Sequence, residues 1–525
     1  MGTYLGLDSS TQSLSATMID TAERRIVAEQ AVNFGQDLPQ YESPSGVLAS
    51  SDPAVAQSNP LMWVEALDLV LGRLRESGAD LSRIDGISGA GQQHGSVYLA
   101  KPIDEVGGWS AQHGLKDQVA QLLSRPTSPI WMDSSTGQEC REIAAALGGN
   151  DRVVQITGSR ATERFTGPQI RKFYKVQPEA YDRTREIHLV SSFVAALLIA
   201  RSAPIDLGDG AGMNLLDLAA ANWSAELLEA TAPALAERLR TPVASNTQVG
   251  EVAEYFTERY GLRRGVPVFA FSGDNPSSLV GMGASEPGTA VVSLGTSDTV
   301  FAAMRRPCTD PRGFGHVFGN PAGGFMSLIC FSNGSLAREA VAKRFDLDWP
   351  AFSRALIEQT VPGNGGNLLL PFFVPEITPR VAKPSVRLIG TKEFTEWRDA
   401  AGAVRAIVEA QAMSMRRHSD WIGERPTRIL VTGGASRNRG ILQVIADVFQ
   451  AEIRPLAVAN SSALGGALRA AHAVEQMAWN GLFAQFAVPE ESLATLPNPD
   501  VRSVYDEHFE RFVENLEALV GAEQP

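Results

Sequence analysis

The chain has 525 residues, of which 44% are hydrophobic and 20% charged, and its formal net charge is −13. That length exceeds what one compact core supports, so we expect two domains, each of roughly 200–250 residues. The composition is that of a globular protein. The acidic balance argues against nucleic acid and against an anionic membrane as partners.

The cysteines and the apolar segments indicate the compartment. Cys140, Cys308 and Cys330 are scattered, without the spacing of a zinc site or a disulfide framework, as is usual in a reducing cytosol. The N-terminus enters a strand directly, so no secretory signal is visible. The most apolar segment, residues 189–200, is too short to span a bilayer. We therefore expect a cytoplasmic protein.

The chain opens with a strand, a polar turn and a second strand. Residues 4–7 and 14–19 are apolar, and the turn between them contains Asp8, Ser10, Thr11 and Gln12. Such a turn offers hydroxyls and backbone N–H groups to an anion. Asp and Ser are also ordinary hairpin residues, and for one hairpin alone that plainer explanation is preferred.

A second polar segment follows the strand predicted at residues 84–90. It runs Gly91-Gln92-Gln93-His94-Gly95 between that strand and another at residues 96–99. A lone histidine is more often structural than functional. The glycine and glutamine neighbours of His94 favour a polar ligand instead, and the glycines permit a close approach to backbone.

The next segments alternate apolar strand ends with polar turns. Asp133 follows an apolar strand end, although Asp133 or the serines after it could simply cap the helix predicted at residues 136–147. Arg160, Arg164 and Arg171 are assigned to a turn-like region around two glycines. Residues 190–199 are predicted as a buried helix and residues 206–212 as a glycine-rich turn.

The second half repeats the opening device. Asp274 ends an apolar run, Gly273 lets the backbone turn, and residues 290–294 and 299–301 form strands around Gly295, Thr296 and Ser297. Two such loops, one in each half, predict a duplicated domain with a nucleotide held between the copies. We place domains at 1–258 and 259–480, with a docked helical tail at 481–525.

Two further features of the second half suggest ligand contacts. Trp349 lies outside any apolar face, so it is either a stacking platform or a loop anchor. Gly433 and Gly434 follow the strand predicted at residues 428–432 and precede a helix, where backbone donors can approach a phosphate or a flat ligand.

The motifs together resemble the FGGY family of carbohydrate kinases, in particular its longer, eukaryote-type members that act on D-xylulose. The resemblance covers nearly the whole chain, in the family's order, and rests on Gly91–Gly95, Ile130–Ser135, Phe165–Ile170, Ser272–Pro276, Ser293–Ser297 and Thr432–Ser436. It implies an α/β protein with the two-domain actin/hexokinase/Hsp70-like ATPase fold, built from duplicated ribonuclease H-like domains around a central cleft. It also implies ATP-dependent phosphorylation of the C5 hydroxyl of D-xylulose.

The resemblance assigns roles residue by residue. It implies that Asp274 is the general base and that the sugar is contacted by Gln93, His94, Asp133, Arg164, Asp274 and Asn275. Asp8 is the implied Mg²⁺ residue. The implied ATP contacts are Ser10, Thr11, Gln12, Gly295, Thr296, Ser297, Trp349, Gly433, Gly434 and Asn438.

One departure from the family pattern leaves alternatives open. Many members have an arginine where this chain has Ser135, so another residue has to complete the sugar site, and Arg164 is the candidate. Ribulose, glycerol or a related polyol therefore remain alternative substrates. An ATP-gated binding protein of the actin or Hsp70 type is the alternative from another class. A monomer and a homodimer both remain open.

Overall fold

The computed structural model describes residues 1–458 and 460–523. The strands are β1 (Thr3–Ser9), β2 (Ser13–Asp20), β3 (Arg25–Asn33), β4 (Gln57–Ser58), β5 (Ile84–Gly91), β6 (Ser96–Leu99), β7 (Ser128–Pro129), β8 (Glu186–Leu189), β9 (Leu216–Asp217), β10 (Asn222–Trp223), β11 (Gln248–Glu251), β12 (Pro267–Phe269), β13 (Ser272–Gly273), β14 (Thr289–Leu294), β15 (Asp298–Met304), β16 (His316–Gly319), β17 (Phe325–Phe331), β18 (Leu368–Phe372), β19 (Ser385–Ile389), β20 (Arg428–Thr432) and β21 (Glu452–Pro455).

The helices, again in chain order, are α1 (Phe34–Asp37), α2 (Pro60–Glu76), α3 (Leu115–Ala120), α4 (Gly137–Ala146), α5 (Asn150–Thr157), α6 (Thr166–Val176), α7 (Pro178–Arg183), α8 (Val190–Ile199), α9 (Leu207–Gly210), α10 (Ala225–Thr231), α11 (Glu254–Tyr260), α12 (Asp274–Gly281), α13 (Ser335–Arg344), α14 (Trp349–Glu358), α15 (Lys392–Thr395), α16 (Ala400–His418), α17 (Arg439–Phe449), α18 (Ser461–Glu475), α19 (Trp479–Phe486) and α20 (Arg502–Glu523). Among the described residues, no helix combines the length and apolar character needed to cross a membrane.

The chain folds into two compact units, and each unit is assembled from separate stretches of the sequence. The first unit contains residues 1–285, 317–325 and 459–487, and the second contains 286–316, 326–458 and 488–525. Asp274 stands in the first unit, whereas the sequence analysis put it in the second domain. The reason is that β13, just before Asp274, still pairs with β5 of the first sheet. The predicted domain bounds stay predictions, and residues 524–525 of the predicted tail lie outside the described residues.

The two units contain sheets with the same succession of pairings. In the first, β1 is parallel to β5, which is parallel to β12, and β1 forms an antiparallel hairpin with β2. In the second, β14 is parallel to β20, which is parallel to β21, and β14 forms an antiparallel hairpin with β15. The predicted α/β class and its duplicated architecture are confirmed.

Helix α18 belongs to the first unit although it comes late in the chain. Its small residues allow backbones to approach closely. A Cβ at Gly465 would stand 1.9 Å from the carbonyl oxygen of Ser277 in α12, and one at Gly6 in β1 would stand 1.8 Å from that of Ala463. Only glycine fits at these two crossings, so α18 is wedged against the strand and the helix that carry Asp8 and Asp274.

Two local expectations are wrong. Residues 206–212 are not a plain turn but α9 followed by a 3-10 turn, because the Asp206 side chain caps α9 by accepting the N–H of Asp209 at 2.8 Å. Arg171 does not lie in a turn. It sits within α6, where its guanidinium binds Glu142 at 2.7 Å.

Candidate active site

In the first unit, the predicted residues gather where parallel strands end. Asp8 in β1 lies opposite Ala90 in β5, and Gly273 in β13 lies opposite Gly91 at the end of the same strand. Gln93 and His94 follow β5 directly. Because the carboxyl ends of neighbouring parallel strands share one edge of a sheet, Asp8, Gln93 and Asp274 are brought together there.

Asp274 is the first residue of α12, where free backbone N–H groups favour a negative charge. Its Oδ1 accepts the backbone N–H of Asn275 at 2.8 Å and the Asn275 side-chain N–H at 3.0 Å. Burial raises the pKa of Asp274 to about 6, and these hydrogen bonds oppose a larger rise. A carboxylate with this pKa is ionised at neutral pH and can still accept a proton.

Asn275 and Gln93 orient each other beside that carboxylate. The Asn275 Nδ2 group donates to Gln93 Oε1 at 2.8 Å. The opposite end of the Gln93 amide, Nε2, is buried and has no hydrogen-bond partner among the described residues. A buried donor of this kind is available to a ligand oxygen.

Asp8 is an acidic group without local compensation. Its Oδ1 is buried and has no hydrogen-bond partner in the described part of the chain. Burial, and then the charge of Asp274, raise the pKa of Asp8 to about 8. A carboxyl group that is so penalised when ionised is suited to a cation.

The turn after Asp8 keeps polar groups accessible. Ser10 closes it by donating its hydroxyl to the Ser13 carbonyl at 3.0 Å, while Gln12 is exposed. Thr11 accepts a hydrogen bond from the indole of Trp131 at 2.8 Å. Trp131, which the sequence analysis did not select, thus supports the predicted phosphate loop.

His94 is held in one orientation and is neutral. It has a positive φ of 70°, its Nδ1 lies 2.7 Å from the Gly212 carbonyl, and its ring stacks on Phe165 at 4.3 Å. Burial, and then the charge of Arg164, lower its pKa to about 3. Because Nδ1 donates to the carbonyl, Nε2 is the acceptor nitrogen. The structure therefore brings His94 and Arg164 together.

Asp133 does not present a free carboxylate. Its Oδ1 accepts hydrogen bonds from the Ser135 backbone, the Ser135 hydroxyl and Gln169 at 2.5–3.0 Å, and its Oδ2 accepts one from Ala56 at 3.1 Å. With its side chain buried and its oxygens occupied, Asp133 fixes the local backbone. Ser135, at the departure from the family pattern, also accepts a hydrogen bond from Lys172 Nζ at 2.6 Å.

The second unit has its own cavity of about 710 Å³, within the usual size range of small-molecule sites. It lies by the starts of α13, α14 and α17. Its lining residues are Leu294, Gly295, Thr296, Ser335, Arg338, Glu339, Trp349, Pro350, Ser353, Gly434, Ala435, Arg437, Asn438 and Ile441. The predicted nucleotide residues Gly295, Thr296, Trp349, Gly434 and Asn438 are therefore neighbours.

The remaining predicted residues stand beside this cavity. Ser297 is exposed on the β14–β15 turn, next to Thr296. Gly433 has a φ of 91°, and a Cβ there would lie 2.3 Å from the Leu294 carbonyl oxygen, so it lets β20 end tightly against β14. Asn438 caps α17 with its Oδ1 and donates its Nδ2 to Ser353 at 2.7 Å.

Sequence reasoning missed a buried polar group beneath Asp274. Asp209 and Arg469 are both almost completely buried in the first unit. Arg469 donates to the carbonyls of Ala270 and Gly89 and, at 3.2 Å, to the Ser277 hydroxyl. The spacing of Asp206 and Asp209 is typical of a helix cap and could have predicted a short helix here. The sequence analysis interpreted this stretch as a turn instead.

Comparison with known proteins defines the class. Residues 115–281 match the N-terminal domain, and residues 290–474 the C-terminal domain, of the FGGY family of carbohydrate kinases. The chain belongs to this family. It is 42% identical over 528 residues to the xylulose kinase of Rattus norvegicus, covering 97% of this chain and 96% of that one.

Solved structures share the fold. The xylulose kinase of Rhodospirillum rubrum is similar with a TM-score of 0.84 at 22% identity, covering 99% of both chains. The gluconate kinase of Lactobacillus acidophilus gives 0.82 at 17% identity, covering 98% of both. Because kinases named for different sugars share this fold, the fold alone does not identify the sugar.

Proposed function

We propose that this chain transfers the terminal phosphoryl group of ATP to the C5 hydroxyl of D-xylulose. The observation that carries the reaction type is Asp274, a half-buried carboxylate with a pKa of about 6 at a helix N-terminus. The 42% identity to a xylulose kinase over nearly the full chain supports the choice of sugar.

The sugar contacts we propose come from the first unit. Asp274 accepts the C5 hydroxyl, Asn275 and the free Gln93 Nε2 donor bind neighbouring oxygens, and His94 Nε2 accepts a further hydroxyl. Arg164, whose charge acts on His94, completes the set. We leave Asp133 out because its oxygens are already occupied.

Different residues are proposed to contact the adenosine and the phosphates of ATP. The cavity of the second unit takes the adenosine, with Trp349, Gly434 and Asn438 on its walls. Gly295, Thr296 and Ser297 contact the outer phosphates through N–H and hydroxyl groups. Ser10, Thr11 and Gln12, on the turn after Asp8, are also assigned to phosphate contacts.

Asp8 fits Mg²⁺, because its buried Oδ1 lacks a hydrogen-bond partner and its ionised form is destabilised by its surroundings. Within the described residues, no group of three or more acidic, histidine or cysteine side chains could hold a metal by itself. Mg²⁺ in kinases is held by few carboxylates together with substrate phosphates, so one aspartate suffices. When bound, Mg²⁺ neutralises phosphate charge during transfer.

In the proposed reaction, Asp274 takes the C5 hydroxyl proton while that oxygen forms its bond to the terminal phosphorus. The bond from that phosphorus to the bridging oxygen breaks, and ADP leaves. Little covalent chemistry is required of the protein, so positioning and charge stabilisation supply most of the rate.

The pH dependence should follow Asp274. Below pH 6 its carboxyl is protonated and cannot accept the sugar proton. At saturating Mg²⁺, which would keep Asp8 ionised, kcat/KM is therefore expected to rise about tenfold per pH unit up to about pH 6 and then level off. Initial rates measured from pH 4.5 to 8 check this. A profile that stays flat across pH 6 would contradict the assignment of the base.

Trp349 should contribute to nucleotide affinity. It is 49% exposed at the start of α14 and meets Phe352 edge-on at 5.4 Å, so one face remains free for a base. Stacking of a base on an aromatic ring contributes roughly 1–3 kcal/mol, so Trp349→Ala is expected to raise the KM for ATP about 5- to 160-fold with kcat little changed. Trp397→Ala, in the same unit but stacked on Arg344, is the control. If the KM for ATP did not change, Trp349 would be a loop anchor and not a stacking platform for the base.

A sugar panel tests the proposed function. ADP release is measured with D-xylulose, D-ribulose, glycerol and gluconate, and the product is examined for phosphate on C5. We expect D-xylulose to have the highest kcat/KM. A higher value for another sugar would replace the substrate but keep the reaction type, whereas ATP hydrolysis indifferent to every sugar would favour a nucleotide-gated binding protein.

A related pentulose or polyol is the second candidate. The observation in its favour is Ser135, which stands where many family members have an arginine and instead binds Lys172 at 2.6 Å. The charge and the reach of the sugar site therefore differ from the family pattern at this place.

A further inference from the structure

We propose that Asp209 is a positioning residue for Asp274: it remains protonated beside the ionised base and, through Gly273, holds the turn that aims that base. This inference rests on the proposed role of Asp274. It concerns a residue that contacts neither of the two proposed ligands.

The first observation is geometric. The Asp209 side chain is fully buried, and its Oδ1 has no hydrogen-bond partner within the described residues. A Cβ built on Gly273 would lie 3.0 Å from that oxygen and 2.9 Å from the free Nε2 of Gln93. The carboxyl and the amide therefore close on the backbone of the residue immediately before Asp274.

The second observation is how Asp209 is held. Its Oδ2 bonds the Ser191 hydroxyl at 2.5 Å, and its backbone N–H donates to Asp206 Oδ1 at 2.8 Å. Ser191 lies in α8 and Asp206 caps α9, so Asp209 is fixed from two elements. Because Asp209 is held in place, it supports the turn at Gly273. Asp274 then stays within the positional tolerance that phosphoryl transfer requires.

The third observation concerns charge. The ionisable groups that act on Asp209 are Asp206 and Asp274, and both disfavour a negative charge there. The buried cation Arg469 acts on Asp206. Burial, foremost, and these two carboxyls raise the pKa of Asp209 well above its ordinary value, while Asp274 has N–H donors that stabilise its ionised form. Of two neighbouring carboxyls, the more deeply buried one with fewer donors retains the proton.

The consequence for the reaction is that the pair holds one negative charge, placed on Asp274. A second charge on Asp209 would make Asp274 harder to ionise and would raise the acid limb of the pH profile. Asparagine has the shape of a neutral carboxyl, so Asp209→Asn should preserve the site, whereas Asp209→Ala should loosen it.

Infrared difference spectroscopy of the full chain at pH 7, wild type against Asp209→Asn, tests the protonation state without any sugar. We expect the variant to lose a band of a protonated carboxylic acid. Loss of a carboxylate band instead would overturn the proposal. Because no substrate is present, this result is independent of whether D-xylulose is the right sugar.

Kinetics test the positioning. Asp209→Asn is expected to keep kcat and the acid limb near pH 6, while Asp209→Ala lowers kcat about 10- to 100-fold with the KM for ATP unchanged. A shift of the acid limb to lower pH in Asp209→Asn, or full kcat in a folded Asp209→Ala, would overturn the proposal. These rates are measured with whichever sugar the panel selects.

A matched serine pair covers the case in which Asp209→Ala fails to fold. Ser191→Ala removes the hydroxyl bonded to Asp209, while the adjacent buried Ser192 bonds Leu189 and the ring of His188 instead. We expect Ser191→Ala to lower kcat several-fold and Ser192→Ala to lower only the melting temperature. Equal effects of the two variants on kcat would overturn the proposal.

Discussion

Asp274→Asn is expected to lower kcat by about 10²- to 10⁴-fold, the usual contribution of a general base. The substitution keeps the size of the side chain and removes its capacity to accept a proton. The cavity assigned to adenosine is built from other residues, so ATP binding should remain. Single-turnover phosphorylation, with ATP affinity measured by calorimetry, separates the two effects.

Stability distinguishes loss of chemistry from loss of fold in this variant. The pKa of Asp274 is raised in the native state, so its ionisation destabilises the fold progressively as the pH rises from about 4 through 6. The asparagine variant lacks this penalty, and its melting temperature at pH 8 should equal or exceed that of wild type. Asp80→Asn, the same change at an exposed cap, is the control for both measurements. A folded Asp274→Asn protein with normal kcat would exclude Asp274 as the base.

The duplicated fold was predictable because each half of the sequence contains its own strand, polar turn and second strand. The turn after residue 7 and the turn after residue 294 both stand between apolar runs, and the structure places both in antiparallel hairpins. The helix at Val190–Ile199 was also predicted at its observed bounds. These elements are determined by short apolar runs and by the turn residues between them.

Long-range pairing was not predictable in the same way. Nothing around Ser461 indicates that α18 joins the first unit, because the fit depends on glycines hundreds of residues away, such as Gly6. Asp133 illustrates the same limit at the site. Its place after a strand suggests a ligand contact, and only its partners Gln169 and Ala56 show that its oxygens are occupied.

Asp209 was missed because buried polar groups leave a weak trace in sequence. A glycine-rich stretch with two aspartates predicts a turn by composition, while the capping bond from Asp206 makes it a short helix. The partner that gives Asp209 its role, the backbone of Gly273, lies 64 residues further along the chain.

Arg338→Ala is expected to reduce the free energy of unfolding of the second unit by about 3–5 kcal/mol, since removing one partner of a buried ion pair leaves the other uncompensated. Arg338 binds both oxygens of Asp298, at 3.0 and 3.2 Å, and Gln411 Oε1 at 2.8 Å. Gln411 in turn donates to the carbonyls of Asn333 and Gly334, just before α13. The cluster fixes the strand that follows Thr296 and the helix start beside the cavity.

The loss of stability in Arg338→Ala should depend on pH, and the variant should also bind ATP less tightly. Burial already raises the pKa of Asp298, and Arg338 opposes that rise. Without Arg338 the folded-state pKa rises further, so the variant's deficit in denaturant melts should be larger at pH 8 than at pH 5, where Asp298 can take up a proton. Since Arg338 also lines the cavity, ATP affinity should fall. Arg344→Ala, in the same helix but packed on Trp397, should leave both nearly unchanged. A deficit that is equal at the two pH values would mean that the ion pair with Asp298 is not its source.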